Sequence, residues 1–508
     1  MRLSSGAPLV NKTMENAAIA AAPPQLDTRF FGHPRGLATL FFTEMWERYS
    51  YYGTRALLIL FMTASVTTGG LGFGVVKAGA IYGFYTATGY LLNLPGGWFA
   101  DRVLGQRRAV FSGGLLISAG NFCLAAPNVA VFYLGLGLIM IGTGLLKPNV
   151  STIVGQLYSA GDKRRDSGFS IFYMGINLGA FFSPLVCGWV AARFTWRWGF
   201  AVSGVGMVLG LIQYALSGKL LGSAGLHPSS TGDPARDRTQ KRNSVVIAVS
   251  LLVLLVVVAA LASAGIIQVT ANAVSAGLGW VLLGITVLVF SWMIFGRGWS
   301  ADERKRAVAI FVLFAAAAIF WAAFEQAGSS LNLFGERNTN RLVFGYEFPA
   351  AWFQSVQPIL VIALAPVFAW IWLFLGKRDP SSPSKFTLGL IFGGLAFAIM
   401  VPAAYGSLVS PWWLVGCYFL QTVGELCLSP VGLSAMTKLA PARAGGFVMG
   451  IWFLATSVGN WLAGKAGSLF ESMPLPRLFG SVAVICLLAA VVLALLIKPT
   501  KKMMAGVS

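Results

Sequence analysis

The sequence predicts an all-α polytopic membrane protein, with two six-helix bundles and two extra central helices between them, 14 transmembrane helices in all. Three observations lead there. Apolar runs of about 20 residues recur along all 508 positions, each long enough to cross a hydrocarbon core of roughly 30 Å. The chain is 56% hydrophobic and only 11% charged, too little polar surface to coat a water-soluble globule. Most of the 37 Lys and Arg side chains fall on one side of the serpentine that these runs define.

Residues 1–36 hold Pro23, Pro24, His33 and Pro34 and lack the basic start and apolar core of a cleaved signal, so they are expected to form a tail. The first bundle is expected over 37–217, with helices at 37–65, 77–100, 108–126, 130–157, 165–192 and 196–217. Arg102, Arg107 and Arg108 separate the second helix from the third, and Lys163, Arg164 and Arg165 the fourth from the fifth. Residues 218–305 are expected as a linker with two inserted helices. Its stretch 222–243, rich in Ser, Pro, Asp, Arg and Lys, reads as a loop, and the helices follow at 244–266 and 272–296. Because 245–260 is nearly pure Val, Leu and Ala, this pair has nothing with which to handle a polar solute and is expected at the periphery. The second bundle is expected over 306–498, with helices at 306–333, 349–376, 384–404, 411–440, 443–472 and 476–498, and residues 499–508 form a second tail.

The basic loops, which also include Arg236, Arg238, Lys241 and Arg242, then Arg304, Lys305 and Arg306, Lys377 and Arg378, and Lys501 and Lys502, all lie on the side of the two tails. The positive-inside rule makes that side cytoplasmic. The same placement accounts for the net charge of +20 and excludes nucleic acid as a partner. Cys123, Cys187, Cys417, Cys427 and Cys486 lie in apolar runs without CxxC spacing, so neither a disulfide nor a metal site is indicated.

Three local patterns repeat at a spacing of about 280 residues: Trp46-Glu47-Arg48 with Phe324-Glu325-Gln326, Phe172-Tyr173 with Trp452-Phe453, and Gly142/Pro148 with Gly424/Pro430. Such a duplication around a central site describes the major facilitator architecture. The segment 97–108 resembles the cytoplasmic loop motif of that superfamily. In it Asp101 and Arg102 form a gating loop, Asp101 pairing with Arg side chains or a helix end across the bundle seam, and Gly105 permits the tight turn.

Seven ionisable residues fall well inside the predicted spans: Glu44, Glu47, Arg48, Arg55, Lys147, Glu325 and Glu425. Each costs roughly 2.5–3.5 kcal/mol at the bilayer centre unless it pairs or faces water. On helix one, Glu44, Glu47, Arg48, Tyr51, Tyr52 and Arg55 share an arc of roughly 140°, so one face carries acids, cations and phenols into a polar cavity. Lys147 precedes Pro148, which removes a backbone donor beside the charge. The two histidines, His33 and His227, lie outside the spans, so any proton coupling runs through carboxylates, with Glu44 and Glu47 as candidates.

The run Glu44-Met-Trp-Glu47-Arg48-Tyr49-Ser50-Tyr51-Tyr52-Gly53 closely resembles the helix-one ExxER signature of the proton-dependent oligopeptide transporter family of the major facilitator superfamily, bacterial type. Supporting segments are Gly144-Leu-Leu-Lys147-Pro148-Asn149, Phe172-Tyr173-Met-Gly-Ile-Asn177, Phe320-Trp321-Ala-Ala-Phe-Glu325-Gln326, Trp352-Phe353-Gln354-Ser355 and Gly424-Glu425-Leu-Cys-Leu-Ser429-Pro430. The resemblance implies a proton-coupled symporter that imports di- and tripeptides by alternating access, as a monomer in the bacterial inner membrane, without cofactor or metal. It implies that Glu44 and Glu47 take protons, with Arg48 in the same motif and Lys147 forming a switching salt bridge to it. Arg55 and Lys147 would hold the peptide carboxylate and Glu425 the amino group. Tyr52, Tyr90, Tyr173, Asn177, Glu325, Gln357 and Ser429 complete the expected substrate set, and Trp321 and Trp452 would line side-chain pockets. The chain departs from the family pattern at Tyr49, commonly Phe, and at Gln357, commonly Asn.

A related carrier of another small solute, such as nitrate, is the alternative; an anion at Glu425 favours an amine-bearing substrate. An enzyme is not indicated, because no Ser–His pair, metal-ligand cluster or nucleotide loop is expected near the inner face.

Overall fold

The structure, a computed structural model, describes residues 29–159, 162–230, 232–441 and 445–504; the expected tails before residue 29 and after 504 lie outside the described residues. The described chain is almost entirely helical. α1 (Gly36–Thr63) is followed by α2 (Val75–Leu91), which continues through a break at Leu92 into α3 (Asn93–Phe99) and a π-helical turn at 100–104. Gly105 ends that turn with φ of +78°, a left-handed conformation that only glycine adopts cheaply, and releases the chain into α4 (Gln106–Leu124). α5 (Val129–Gln156) starts at an Asn128 cap that accepts from the backbone N–H groups of Ala130 and Val131, and is followed by α6 (Arg165–Arg193) and α7 (Trp196–Ser217).

The linker is less of a loop than its composition predicts. α8 (Pro234–Ser263) begins ten residues before the expected apolar start, because Asp233 accepts from the N–H groups of Ala235 and Arg236 and Pro234 occupies the first helical turn. α9 (Ala271–Phe295) completes the inserted pair. α10 (Ala301–Phe324) opens with a Ser300/Glu303 capping box and passes through a 3₁₀ turn at Glu325–Gly328 into α11 (Ser330–Arg337). A short antiparallel hairpin, β1 (Leu342–Val343) and β2 (Tyr346–Glu347), precedes α12 (Val356–Leu375). α13 (Ser382–Ala398), α14 (Met400–Ala403), α15 (Trp412–Leu439), α16 (Gly445–Ser468) and α17 (Leu475–Met503) follow. Among the described residues, eleven helical segments are apolar and long enough to cross a membrane by length and composition. The first three crossings depart from that profile for evident reasons: α1 carries Glu44, Glu47, Arg48 and Arg55, α2 is broken at Leu92, and α4 opens on Gln106-Arg107-Arg108.

Within the first half α1 packs on α6 and α7, and α4 on α5 and α7; within the second, α13 packs on α15 and α17, and α10 on α16 and α17. The halves meet where α2 lies along α16, α6 against the start of α12, and α1 against α11. A Cβ at Gly83 would stand 2.9 Å from the Cα of Gly464, so two glycines let α2 and α16 touch backbone to backbone. α9 seats against α2, α10 and α16, whereas the described side chains of α8 from Val245 to Val258 face outward.

The apolar core divides unequally between the two ends. One cluster runs through both halves at the end where α1 stops and α2 begins, joining Leu58, Phe61 and Phe132 to Leu331, Phe334 and Phe479. At the other end Leu37, Val150, Ile153 and Phe172 form a cluster confined to the first half, and a third cluster, built on the second half and α9, takes in only Ala87, Phe84 and Leu91 of α2 from the first. Polar links between halves at the Thr63–Val75 end are Asn332 donating to the Ala56 carbonyl (2.9 Å), Trp352 to Leu185 (3.0 Å) and Ser468 to Val76 (3.2 Å), while Ser355 to Phe181 (2.7 Å) and Ser457 to Ala87 (2.7 Å) join the halves nearer mid-span. The halves are therefore sealed together at the Thr63–Val75 end.

Candidate functional site

Seven charges inside spans require partners or water, and helix one supplies most of the pairing. Glu44, Glu47, Arg48 and Arg55 are all buried, at 1–3% exposure. The Arg48 guanidinium lies against both Glu47 oxygens, with Nη2 donating to Oε1 at 2.6 Å, and its Nε stands 3.6 Å from Glu44 Oε1 one turn earlier. Its face covers the Tyr51 ring at 4.6 Å. Glu44 Oε2 is buried without a hydrogen-bond partner. The ExxER run is thus a self-contained cluster of two acids and one cation with one spare acceptor.

Lys147 makes no ion pair among the described residues; its Nζ sits 4.2 Å from the Tyr90 ring centroid. Lys147, Tyr90, Arg48, Tyr51, Tyr85 and Thr143 line one small cavity between α1, α2 and α5. The expected bridge between Lys147 and the signature is therefore open here, because Arg48 holds Glu47, while the two groups face a common space. Pro148 lies inside a continuous α5.

Arg55 lies two turns further along α1 and is committed across the seam. Its Nη2 stands 2.9 Å from Glu325 Oε2, and its Nε donates to the Tyr82 hydroxyl at 3.0 Å. The chain reverses from α10 into the 3₁₀ turn at Glu325, which brings the carboxylate toward α1. Tyr52 lies between the two cations, its ring 5.6 Å from the Arg55 guanidinium and 5.9 Å from that of Arg48.

On the second half Glu425 is half-buried, has no ion pair among the described residues, and shares a face of α15 with the half-buried Ser429 one turn on. Gln357 does not hang free: its Nε2 donates to Gln421 Oε1 at 2.7 Å. Trp321 and Trp452 are 8% and 4% exposed, Trp452 packed against Phe386 and Trp321 against Phe324, with the Trp321 Nε1 unpartnered. On α6 Tyr173 is 41% exposed, and Asn177 donates to its carbonyl at 3.0 Å.

The gating loop differs from expectation. Asp101 Oδ1 accepts from Gln106 Nε2 at 3.0 Å and the Asp101 carbonyl accepts from the Ser229 N–H at 2.8 Å, so it serves its own turn and the linker rather than an Arg across the seam. Arg102 stacks on Trp98, 5.1 Å from the ring centroid, and Arg107 donates to the carbonyls of Ala224 (2.6 Å) and Gly222 (2.5 Å). Gln106 opens α4 directly after the turn, so it reaches the carboxylate before any cation can.

Sequence reasoning passed over Tyr82, Tyr85 and Gln421. The first two had a signal, since Tyr82, Tyr85 and Thr86 gather hydroxyls on one side of an otherwise apolar α2. Gln421 had none beyond being a lone amide mid-helix. Among the described residues no group of three or more His, Cys, Asp or Glu is placed to hold a metal ion.

The sequence profile of the POT family matches residues 107–481. A peptide transporter of Yersinia enterocolitica is 42% identical over 94% of this chain and 96% of its own length, and a di-/tripeptide transporter of Lactococcus lactis subsp. cremoris 37% identical over 94% and 98%. An uncharacterized transporter of Bacillus subtilis is 42% identical over 97% and 99%. Among solved structures, a peptide transporter POT in complex with sulfate superposes with a TM-score of 0.89 at 44% identity, covering 95% of this chain and 98% of that one. A POT family transporter in complex with 5-aminolevulinic acid superposes at 0.87 with 32% identity, covering 94% and 98%. With the profile spanning most of its length and these relatives covering nearly all of it, the chain belongs to the POT family of membrane transporters.

Proposed function

We propose that this protein is a proton-coupled symporter that imports di- and tripeptides by alternating access. The observation that carries the substrate reading is the separation of charge between the halves. Lys147 and Arg48 face one cavity on the first half, and Glu425 stands on the second without an ion-pair partner among the described residues. A zwitterionic peptide has a carboxylate for the one and an ammonium for the other, and apolar walls leave its side chains unspecified. Relatives named peptide transporters, and a related structure holding a small amino acid-like ligand, agree with that chemistry.

In this reading Glu44 and Glu47 take the proton. When Glu47 is protonated its hold on Arg48 weakens, and Lys147 and Arg48 become available to the peptide carboxylate. Arg55 and Glu325 latch the sealed end, so Arg55 reaches substrate only when that pair opens. Tyr52, Tyr90, Tyr173, Asn177, Gln357 and Ser429 contribute hydrogen bonds, and Trp321 and Trp452 shape the walls. Positive-inside placement puts the Asp101–Arg102–Gly105 turn in the cytoplasm of a bacterial inner membrane, with both termini there, which makes the sealed end external. Residues 37–217 and 306–498 are the two rocking bundles and 218–305 the insert. The working unit is a monomer in lipid, driven by the proton gradient without cofactor.

The test is uptake of labelled dialanine by liposomes containing the purified protein, with an inward proton gradient. Accumulation above the equilibrium level, blocked by unlabelled dipeptide and not by nitrate, is expected. Movement of nitrate without competition by dipeptides would leave the family standing and remove the peptide assignment.

A further inference from the structure

Gln357 carries the amide expected at the amino end of the proposed site, and its orientation is set by two residues outside that site. Ala323, two residues before Glu325, presents a backbone carbonyl, which can only accept. Gln421 is fully buried and donates its Nε2 to that carbonyl at 3.3 Å. Its Oε1 is thereby left as the atom facing Gln357, and Gln357 must meet it with Nε2, as it does at 2.7 Å. The remaining polar atom of Gln357, Oε1, has no hydrogen-bond partner among the described residues. Gln421 lies four residues before Glu425 on the same face of α15, so the amide that holds Gln357 and the Glu425 carboxylate start about one helical turn apart, roughly 5.4 Å of rise.

We propose that Gln421 is a positioning residue for substrate selection: through a relay of two amides anchored on the Ala323 carbonyl, it holds Gln357 by its NH2 and leaves its oxygen for substrate, so that Gln357 and Glu425 offer acceptors only to a primary ammonium. This rests on the peptide reading above and deepens it. An ammonium brings three N–H donors, which a carboxylate and an amide oxygen accept together. A Gln357 turned the other way would set its own NH2 against the ammonium. The relay also explains how a side chain one methylene longer than the usual asparagine is accommodated: the extra reach takes its NH2 to α15, and its oxygen remains for substrate.

The inference is tested on liposomes containing the full chain, measuring KM for dialanine and the inhibition constant of N-acetyl-dialanine, whose amine is capped. Gln421→Met is expected to raise KM for dialanine about tenfold, the scale of one lost hydrogen bond to a charged group, while the N-acetyl inhibition constant changes less than about twofold. Gln357→Met is expected to shift the same ratio, and the double variant no further. If Gln421→Met does not fold, Gln421→Asn, too short to reach both partners, is expected to shift the ratio likewise. An unchanged ratio in the Gln421 variants, whatever happens to kcat, leaves a packing role only and overturns the inference. If the unaltered protein neither transports nor is competed by dialanine, the peptide reading falls and the inference falls with it.

Discussion

Arg55 and Glu325 meet at 2.9 Å across the seam between the two halves, both buried, and no other ion pair among the described residues joins the halves. The pair sits at the sealed end, one residue before the Ala56 carbonyl that accepts from Asn332. A latch of this kind is strong only while both partners are present, since removing one leaves an uncompensated charge at a cost of about 3–5 kcal/mol.

Glu325→Gln is therefore expected to reduce gradient-driven uptake at least about tenfold and to lower thermal stability in detergent. The exchange Arg55→Glu with Glu325→Arg is expected to recover part of both, so that the double variant loses clearly less than the two single charge reversals added together. Additive losses in such a cycle would show that the pair does not act as a unit.

Gly83 and Gly464 bring α2 and α16 into backbone contact, so a larger side chain must push the helices apart. Gly83→Leu is expected to destabilise the sealed end by about 1–3 kcal/mol. The check is maleimide labelling, from the sealed side, of a cysteine introduced at Thr86, whose side chain is 1% exposed. Labelling should rise in the Gly83→Leu background. No change would mean that the seam yields elsewhere.

The Arg164 guanidinium beside Asp162, in the turn between α5 and α6, holds that carboxyl at about 2, below its ordinary 3.8, chiefly through side-chain hydrogen bonds. A depressed carboxylate pKa contributes stability above the unfolded value and loses it as pH falls through about 2. The tie is accordingly complete throughout the working range, and Asp162→Asn should leave the midpoint of the uptake–pH profile between pH 5 and 8 unmoved. A displaced midpoint would place a coupling group in this turn.

Glu425→Gln keeps the shape of the side chain and removes its charge. KM for dialanine is expected to rise about 10- to 100-fold, the range for losing a charge-assisted hydrogen bond to an ammonium, with folding unaffected because Glu425 makes no ion pair among the described residues. An unchanged KM would remove Glu425 from the substrate site.

Much of this architecture was legible in the chain because lipid imposes a simple rule on it. Helix ends fell within a few residues of the apolar boundaries, and the charged stripe of α1 followed directly from a 3.6-residue period. The early start of α8 was hidden by polar composition, although Asp233 and Pro234 are an N-cap signal that composition alone overrides. Partner choice was not legible. Nothing in the sequence ranks Gln106 over an arginine for Asp101, or Glu325 over a peptide for Arg55, because both depend on which helices the fold lays side by side. The same holds for Gln421, a single amide whose meaning comes from a carbonyl on α10 and a second amide on α12.

The central claim is that the proton enters on α1 while peptide binding spans both halves. Comparing Glu47→Gln with the unaltered protein in liposomes, for both gradient-driven accumulation of dialanine and counterflow exchange without a gradient, tests it most directly. The substitution is expected to abolish accumulation and retain exchange. Accumulation that persists in Glu47→Gln would contradict the claim.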